Sequence, residues 1–438
     1  MKKNLVAVVL AGGAGSRFWP LTTNKIVFPF LGRTLFDFST ADMISKEISR
    51  LVIIASRDNQ EALRNVKLSV PSVTVVQQKP LGMADALLSA GSEIVGNELL
   101  ILIADDLMDS RLIERVVARG RGGNMFGVIP GWKSEQYFPG GYLKTADDRI
   151  MGIVEKPGEG ARPSPYVAIS GQYIRNSDLL LSELRRTRTT SSDDIYERSL
   201  TSLMQHEEFI IEPYEGPFVS LKYPWHVLDV MEYLLNTRVK SYRGKGVEIR
   251  DRVTIEGNVY LDDGVKIFEN TKIVGPCYIG KNTIIGNNNI IRASHVGTNC
   301  ITGFSTDISR SYIGNDCWFH TNYMGDSVME EDVSMGSGAA VANLRLDDGE
   351  ISTQVGDTKI FTGRNKLGGI IAKGVRIGIN ASIMPGVKIG KGSFIGSGAV
   401  LDKDLPEQSF CSANAGYTVK RNTREVAKGA RDDFRKQL

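Results

Sequence analysis

The sequence predicts two domains of different fold class: an α/β domain built on a mostly parallel, mixed β-sheet, and after it an all-β parallel β-helix. Two observations support this prediction. Over about the first 240 residues, short β-rich runs alternate with helical patterns, as in a parallel sheet flanked by helices. Beyond that point the hydrophobic period becomes six residues, and a fixed short repeat of this kind indicates a β-helix.

The size and charge of the chain indicate two domains that act on small molecules. At 438 residues the chain is too long for one ordinary core. Lys and Arg number 53 and Asp and Glu 50, so the net charge of +3 favours neither nucleic acid nor a membrane as a partner. No apolar run reaches the roughly 18 residues that span a bilayer, and we expect a cytoplasmic protein. The four cysteines form no C-x-x-C pair and are expected to be free thiols.

The α/β domain is predicted to cover residues 1–240. A helical stretch is expected at Met83–Ile94, and an amphipathic closing helix is expected from His226 to about Val239. Ser241–Gly246 is the expected junction. The predicted strands are Leu5–Leu10, Leu51–Ala55, Val73–Gln77 and Leu99–Ala104.

The β-helix is predicted to cover residues 241–417, where aliphatic residues recur at every sixth position. Stacked coils would bury these side chains as one continuous core. The repeat weakens between about 296 and 369, where we expect projecting loops that could carry a site. Residues 418–438 form a predicted charged tail. The ladder positions are Ile249, Ile255, Leu261, Ile267, Ile273, Ile279, Ile285 and Ile291, then Ile371, Ile377, Ile383, Ile389, Ile395 and Leu401.

A glycine-rich segment follows the first predicted strand directly, in the run Leu10-Ala-Gly-Gly-Ala-Gly-Ser-Arg-Phe-Trp-Pro-Leu-Thr22. Gly12, Gly13 and Gly15 would let backbone N–H groups approach a triphosphate, which side chains would prevent. Arg17 could neutralise phosphate oxygens with its planar fork of donors. The segment therefore predicts a nucleotide-binding loop.

This run resembles the opening of the sugar-1-phosphate nucleotidylyltransferases, and the resemblance extends over the whole first domain. It implies a Rossmann-like nucleotidyltransferase fold, with Leu10 and the glycines in the nucleotide site. Lys25 and Pro29 match the family's K-x-x-x-P element, although Asn24 replaces the usual preceding proline. Gln77 and Gly82 match the segment that reads the base. Asp105 matches the metal-binding aspartate, and a carboxylate at the end of a parallel strand lies where such sheets bind ligands.

The same resemblance implies the sugar site and the reaction. Gly141, Glu155 and Lys156 match the sugar-binding glycine and the E-K-P element. The implied reaction is attack of a sugar-1-phosphate oxygen on the α-phosphorus of UTP or dTTP, with release of pyrophosphate. Arg17, Lys25 and Mg²⁺ would neutralise charge.

One segment departs from the family pattern. Ser220-Leu-Lys-Tyr-Pro-Trp225 aligns with D-x-G-x-P-W, so a serine replaces the second metal-binding aspartate. A hydroxyl binds Mg²⁺ less strongly than a carboxylate does. Asp229 or Asp106 could compensate for this loss.

The second half resembles the acetyltransferase part of bifunctional sugar-1-phosphate enzymes, particularly the archaeal type, over Phe319–Ser327, Met335–Ala339 and Ala342–Arg345. The resemblance implies a left-handed β-helix of hexapeptide repeats, acetyl-CoA as a co-substrate, and glucosamine-1-phosphate or galactosamine-1-phosphate as the acceptor. His320 would be the general base, since an unperturbed imidazole titrates near neutral pH. The other implied site residues are Tyr323, Asn343, Arg292, Arg310, Ser337 and Ser397. His206, His226 and His295 lack such a context and are expected to be packing or surface residues.

Several alternatives stay open at this point. The β-helix could be a trimerisation spine beside a nucleotidylyltransferase, and the resemblance implies a homotrimer or hexamer in either case. The segments Arg17–Pro20 and Leu35–Phe38 resemble guanylyl- and adenylyltransferase relatives, so the base is open. Ser220, together with Gly349 and Ser352 where the family has lysines, would instead suit a non-catalytic ligand-sensing or scaffold subunit.

Overall fold

The structure is a computed structural model that describes residues 4–13, 15–66, 68–79, 81–188, 194–413 and 419–421. All of the predicted tail 418–438 except residues 419–421 lies outside the described residues. Among the described helices, none combines the length and the apolar character needed to cross a bilayer.

The first domain is built on a ten-stranded sheet in the order β5-β4-β1-β6-β12-β8-β13-β10-β9-β11. Pairing is parallel from β5 to β6 and again between β8 and β13, and antiparallel elsewhere. The strands are β1 Leu5–Ala11, β2 Pro29–Phe30, β3 Arg33–Thr34, β4 Ile48–Ala55, β5 Ser72–Val76, β6 Glu98–Ile103, β7 Asp106–Leu107, β8 Gly127–Lys133, β9 Gly141–Ala146, β10 Arg149–Glu155, β11 Tyr166–Ala168, β12 Gln172–Ile174, β13 Phe209–Tyr214 and β14 Val219–Ser220.

Helices cover both faces of this sheet, and two apolar clusters fill the spaces between them and the sheet. β1, β4 and β6 are buried on both sides, which explains their nearly continuous apolar sequence. The helices are α1 Leu35–Ser39, α2 Gln60–Arg64, α3 Met83–Ser89, α4 Gly91–Ile94, α5 Ser110–Gly122, α6 Ser177–Thr187, α7 Ile195–Leu203 and α8 His226–Arg238, with 3-10 turns at Ser16–Phe18, Lys25–Val27, Ala41–Met43 and Glu159–Ala161.

The second domain is the predicted left-handed β-helix, with three parallel faces that share one apolar core. The first face comprises Tyr242–Arg243, Val259–Leu261, Cys277–Ile279, His295–Val296, Tyr312–Ile313, Val328–Met329, Ile370–Ile371 and Lys388–Ile389. The second comprises Glu248–Ile249, Lys266–Ile267, Ile284–Ile285, Ile301–Thr302, Trp318–Phe319, Ser334–Met335, Arg376–Ile377, Phe394–Ile395 and Phe410–Cys411. The third comprises Thr254–Glu256, Lys272–Val274, Ile290–Arg292, Asp307–Ser309, Tyr323–Gly325, Ala340–Val341, Ser382–Ile383 and Val400–Leu401.

The ladder residues belong to this core or pack against it, except for Ile255, which is exposed, and from Leu261 onward every one of them is buried. The predicted loop region was too wide, because regular coils continue to Val341. Between the described residues 242 and 411, only the segment 342–369 leaves the β-helix, and it contains the hairpin of Ser352–Val355 with Thr358–Phe361. The four cysteines are free, as expected, and three of them are buried in the β-helix.

The two domains share an apolar cluster, which joins α1, α8 and the hairpin β2–β3 to the first face of the β-helix. The predicted boundary between residues 240 and 241 lies between the end of α8 and the strand Tyr242–Arg243. Tyr312 packs at 5.2 Å from the ring centre of Phe28 and donates a hydrogen bond of 2.7 Å to the carbonyl of Pro29. The nucleotide-loop side of the first domain therefore rests directly on the β-helix.

Candidate active sites

The glycine-rich loop lies at the carboxyl end of β1, on the edge where β4, β5 and β6 also end. Gly12 leaves no room for a side chain, since a Cβ there would stand 2.8 Å from Oε1 of Gln77. Gly15 has a φ of +62°, which favours glycine, whereas Gly13 is exposed with open space around it. Leu10, half-buried, lies near the end of β1. The loop therefore keeps its backbone accessible where open α/β sheets bind ligands.

Gln77, one of the two residues predicted to read the base, lies beside this loop, and the other, Gly82, is in contact with Gln77. Gln77 is 5 % exposed and directly follows β5. Its Nε2 donates to Oδ2 of Asp85 at 3.0 Å and to the carbonyl of Gly82 at 3.5 Å. Gly82, with a φ of +91°, is the N-cap residue that precedes α3. The amide donor of Gln77 is thus engaged within the protein, so pairing it with a base would replace the contact to Asp85.

Two cationic side chains flank the loop. Lys25 begins a 3-10 turn that is capped by Asn24, whose Oδ1 accepts a 3.1 Å hydrogen bond from the N–H of Ile26. Lys25 forms an ion pair with Asp105, which follows β6. Arg17 is exposed, and its guanidinium lies 5.4 Å from the ring centre of Tyr223. The asparagine that replaces the family's proline therefore has a structural role, because it fixes the turn that presents Lys25.

Asp105 and Asp106 form a buried acidic pair, with exposed fractions of 9 % and 5 %. Burial, and after it the charge of Asp105, raises the pKa of Asp106 to about 7. Lys222 faces both carboxylates, and burial lowers the pKa of its ammonium. The Lys222 Nζ also lies 4.2 Å from the ring centre of Phe138. The site thus holds two carboxylates between two lysines.

Ser220 lies at this acidic pair and Asp229 does not. Ser220 pairs with Asp106 in the two-stranded ladder of β14 and β7. Its hydroxyl is buried and lowers the pKa of Asp106, yet it makes no hydrogen bond of ordinary geometry to any residue that the structure describes. Asp229 instead forms an ion pair with Arg364 of the β-helix domain. Of the two residues that could compensate for Ser220, only Asp106 stands in the site.

A cavity of about 410 Å³ brings the two halves of the predicted site together. Arg17 and Asp105 line it together with Gly141, Glu155 and Lys156. A Cβ at Gly141 would stand 2.9 Å from Ile153 and 3.4 Å from Oε2 of Glu155. Lys156 pairs with Glu155 at 2.9 Å. Residues not singled out from sequence also line the cavity: Lys222, Tyr223, Gln172, Tyr196 and Phe218.

The most informative of these additional residues is Lys222. In the segment Ser220–Trp225, Ser220 stands where the family pattern D-x-G-x-P-W has its aspartate. The same comparison places Lys222 at the glycine of that pattern. The sequence could therefore have indicated Lys222 as a site residue, because a lysine in place of the glycine adds a positive charge to a site that has lost the negative charge of the aspartate. Tyr223 follows it and stacks with Trp225 at 4.5 Å between ring centres.

On the β-helix, His320 occupies the corner between the second and third faces, and it is exposed. Asn322 fixes the turn, since its Oδ1 accepts a 2.8 Å hydrogen bond from the His320 N–H while its Nδ2 donates to the carbonyls of Gly336 and Ala339. The His320 imidazole makes no hydrogen bond within the described part of the chain. The backbone is therefore held while the ring stays accessible to a ligand.

Tyr323, Asn343 and Arg310 meet through Asp326, a buried carboxylate at the far end of the third face from His320. Arg310 donates to both oxygens of Asp326, at 2.7 and 2.8 Å. Asn343 donates to the same carboxylate at 2.5 Å and accepts a 3.3 Å hydrogen bond from the Tyr323 hydroxyl. Arg292 pairs with Asp307 at 3.1 Å on the neighbouring coil. The structure thus joins four of the predicted residues in or beside one polar network.

Ser337 and Ser397 occupy one column on the corner that carries His320. The strands before them stack in register, Met335 on Ile377 and Ile377 on Ile395, so the turn residues Ser337, Ile379 and Ser397 lie above one another. Both serines are exposed. Gly349 and Ser352, which stand where the family has lysines, lie in the segment 342–369 that leaves the β-helix. The N–H of Gly349 donates to the carboxylate of Asp347, and Ser352 begins the first strand of the hairpin.

The remaining histidines have structural surroundings, as expected. His206 is exposed and His226 contacts the backbone of Ser220 and Lys222. His295 is 3 % exposed and stacks between Tyr278 and Tyr312 at 5.0 and 4.6 Å. Its Nδ1–H donates to the carbonyl of Ile313 and its Nε2 accepts from Leu31 of the first domain. Burial lowers the pKa of His295 to about 4, so it remains neutral.

Comparison with known proteins defines the class first. Residues 6–214 match the family described as nucleotidyl transferase. Residues 239–263 match the hexapeptide repeat of succinyl-transferase, and residues 368–403 match the bacterial transferase hexapeptide with six repeats. The two domains are therefore a nucleotidyltransferase domain and a hexapeptide-repeat transferase domain.

The relatives that match the whole chain define the family. The bifunctional sugar-1-phosphate nucleotidylyltransferase/acetyltransferase of Sulfurisphaera tokodaii is 32 % identical over 410 residues, covering 92 % of this chain and 99 % of the relative. The bifunctional protein GlmU of Methanococcus vannielii is 27 % identical, covering 92 % and 96 %. The chain belongs to this family of bifunctional nucleotidylyltransferase/acetyltransferases. The solved UDP-glucose pyrophosphorylase from Acinetobacter baumannii gives a TM-score of 0.46 at 18 % identity, covering 54 % of this chain and 95 % of that chain.

Proposed function

We propose that the first domain transfers a nucleotidyl group from UTP or dTTP to a sugar-1-phosphate and releases pyrophosphate. The observation that carries this proposal is the shared cavity, which is lined both by Arg17 and Asp105, predicted for the nucleotide and its metal, and by Gly141, Glu155 and Lys156, predicted for the sugar phosphate. A donor nucleotide on the glycine-rich loop and an acceptor sugar phosphate beside Glu155 would meet there. Family membership supports the same reaction.

The residues act by positioning and by neutralising charge. Arg17 has a planar fork of donors for phosphate oxygens, and Lys25 places an ammonium at the same edge. Glu155 would accept hydrogen bonds from sugar hydroxyls, and Lys156 would hold the sugar's phosphate. Phosphoryl and nucleotidyl transfers depend on such positioning more than on a covalent partner, because charge develops on the phosphate oxygens and the leaving group.

The oxygen atoms at the acidic pair fit a magnesium ion. Asp105 and Asp106 offer adjacent carboxylates, and the buried Ser220 hydroxyl beside Asp106 makes no hydrogen bond of ordinary geometry among the described residues. The described residues hold no group of three or more His, Cys, Asp or Glu side chains arranged for a metal, but Mg²⁺ is commonly bound by one or two carboxylates together with substrate phosphates. Bound there, the ion would neutralise charge on the triphosphate.

Pyrophosphate release tests this function. The full-length protein is incubated with each nucleoside triphosphate and a set of sugar-1-phosphates in Mg²⁺ buffer. We expect release with UTP or dTTP that requires both substrates. Release with GTP or ATP instead would correct the base assignment, and no release with any pair would contradict the proposal.

We further propose that the β-helix acetylates an amino-sugar-1-phosphate, with glucosamine-1-phosphate or galactosamine-1-phosphate as acceptor and acetyl-CoA as donor. The observation that favours this function is the exposed His320 imidazole at one end of a face whose other end carries the Asp326 network. His320 would take a proton from the acceptor amine. Asn343, Tyr323 and the two arginines would contact the acetyl group and the sugar phosphate, and CoA would lie along the column of Ser337 and Ser397.

Release of CoA tests this second function. With acetyl-CoA and either amino sugar at millimolar concentration, we expect CoA to form only when both substrates are present. Because Arg292 and Arg310 already pair with Asp307 and Asp326, we expect a high KM for the sugar phosphate. A wild-type protein that forms no CoA under these conditions would leave the β-helix as an assembly module.

A further inference from the structure

Glu330 of the β-helix holds the chain segment that connects Arg17 to Lys25. It follows the strand Val328–Met329 and is 3 % exposed. Its Oε1 accepts hydrogen bonds from the backbone N–H groups of Thr22 and Thr23, at 2.9 and 2.8 Å. Its Oε2 accepts from the Thr22 hydroxyl at 3.1 Å and from the N–H of Lys373 at 3.0 Å. One side chain of the second domain thus binds two consecutive backbone groups of the first.

The chemistry of this contact specifies a carboxylate. Every group that meets Glu330 in these four hydrogen bonds is a donor, so an uncharged glutamine would place its NH₂ group against another donor. No ion pair of Glu330 is formed within the described part of the chain, so the hydrogen bonds must offset the cost of burying its charge. Hydrogen bonds to an ionised acceptor are stronger and more directional than neutral ones.

A second contact joins the same segment to the same face of the β-helix. Lys388 is 2 % exposed on the first face of the β-helix, and its Nζ lies 4.9 Å from the ring centre of Trp19. Lys388 is itself fixed by Asp404 at 3.1 Å. Residues 19–23 therefore lie against the β-helix, with Arg17 before them and Lys25 after them. The segment between the two cations is therefore in contact with a surface that belongs to the other domain.

We propose that Glu330 is a positioning residue for nucleotidyl transfer: the β-helix orders the Thr22–Thr23 turn and thereby sets Arg17 and Lys25 against the substrate phosphates. This inference rests on the proposed nucleotidyl transfer. It assigns the β-helix a role in the reaction of the first domain that is separate from acetyl transfer. Misplacing a charge-bearing group by about 1 Å can cost on the order of 100-fold in rate.

The experiment compares Glu330→Gln with Glu331→Gln in the full-length protein. The control removes the same charge one residue away, where Glu331 is only paired with Lys373 at the surface. We expect Glu330→Gln to lower kcat for nucleotidyl transfer roughly tenfold or more, with KM for the nucleotide changed less, while CoA release stays at the wild-type rate. Hydrogen exchange should show loss of protection at the amides of Thr22 and Thr23. Glu331→Gln should change none of these.

Wild-type turnover in Glu330→Gln would overturn the inference, whatever the exchange data show. If Glu330→Gln instead lowers both activities and the melting temperature, its lower kcat could result from a destabilised β-helix. The variant Thr22→Val then distinguishes positioning from destabilisation, because it removes the hydroxyl that donates to Glu330 and leaves the β-helix sequence unchanged. A reduced kcat in Thr22→Val at wild-type melting temperature supports the inference, and wild-type kcat overturns it. If the wild type itself transfers no nucleotidyl group, the proposed function fails, and the exchange data alone then decide whether Glu330 orders the turn.

Discussion

At the level of single residues, we expect the buried hydroxyl of Ser220 to determine how strongly the first site binds Mg²⁺. It stands beside Asp106, which is paired to it across β14 and β7. We expect Ser220→Asp to lower the Mg²⁺ concentration required for half-maximal nucleotidyl transfer, because a further carboxylate would attract a hard dication that prefers anionic oxygen ligands. A magnesium titration of pyrophosphate release measures this. The added charge also repels the triphosphate, so Mg²⁺ demand is a clearer readout than rate.

Asp229→Asn provides the comparison for this titration. Asp229 pairs with Arg364 and lies outside the lining of the cavity, so its loss should leave Mg²⁺ demand unchanged. If Ser220→Asp folds correctly and shows the wild-type Mg²⁺ requirement, Ser220 does not stand at the metal position. An altered requirement in Asp229→Asn would mean that this carboxylate contributes to the site after all.

His295 makes the stability of the protein depend on pH. Its two hydrogen bonds require a neutral ring with the proton on Nδ1, and burial lowers its pKa from 6.5 to about 4. As the pH falls below about 6.5, the unfolded chain binds a proton that the folded chain does not. The contribution of neutral His295 to the free energy of unfolding is therefore fully present above about pH 6.5. It decreases as the pH falls towards 4, by on the order of 3 kcal/mol at most.

The variant His295→Phe should flatten this dependence. A phenyl ring can stay in the stack between Tyr278 and Tyr312, but it cannot titrate. It leaves the Leu31 N–H without its acceptor, so we expect lower stability at pH 7.5 together with a smaller loss between pH 6.5 and 4 than in the wild type. Urea unfolding across this range measures both. His206→Gln, at an exposed position, is the control, and an unchanged slope in His295→Phe would contradict the account.

At the level of elements, coil length explains which part of the β-helix the sequence could predict. In the first coils Glu248 pairs with Lys266, eighteen residues on, which gives three faces of six residues. Later, Ile284 pairs with Ile301 and Trp318 pairs with Ser334, so the coils shorten to seventeen and then sixteen residues. A strict six-residue ladder fails there although the fold continues. Met and Phe fill core positions there, and buried Thr302 stacks on Ile285, so that fewer of these positions carry Ile and the pattern is hidden further.

The candidate sites were predictable to the extent that their residues follow strands or turns in the sequence. Asp105 and the glycine loop follow β6 and β1, so the rule for the carboxyl ends of parallel strands places them together. Lys222 could have been noticed as a lysine at a glycine position. The contacts of Glu330 could not have been predicted from the sequence, because they join residues 308 positions apart in two different domains. Nothing local in either segment indicates the other.

At the level of the whole molecule, exposed apolar side chains on the β-helix favour self-association. Trp318, Phe394 and Phe410 stand on the second face with exposed fractions of 51, 50 and 71 %. Phe394 and Phe410 stack in register, and Trp318 lies in the same column beyond Ser334 and Arg376. Exposed apolar patches are typical of interaction sites. We expect a homotrimer or a hexamer, hence a mass of three or six times 48.0 kDa, by light scattering at micromolar concentration. A mass of one chain under these conditions would contradict this expectation.

The central claim is that one chain carries two separate active sites, each with its own catalytic residues, and parallel assays of Arg17→Ala and His320→Ala test it most directly. Arg17→Ala should reduce pyrophosphate release by about 10²–10³ and leave CoA release unchanged. His320→Ala should reduce CoA release by about 10²–10⁴ and leave pyrophosphate release unchanged. Lys25→Ala should behave like Arg17→Ala, and the surface variants Arg111→Ala and His206→Ala should match the wild type in both assays. Wild-type rates of pyrophosphate release in both Arg17→Ala and Lys25→Ala, or of CoA release in His320→Ala, would contradict the account.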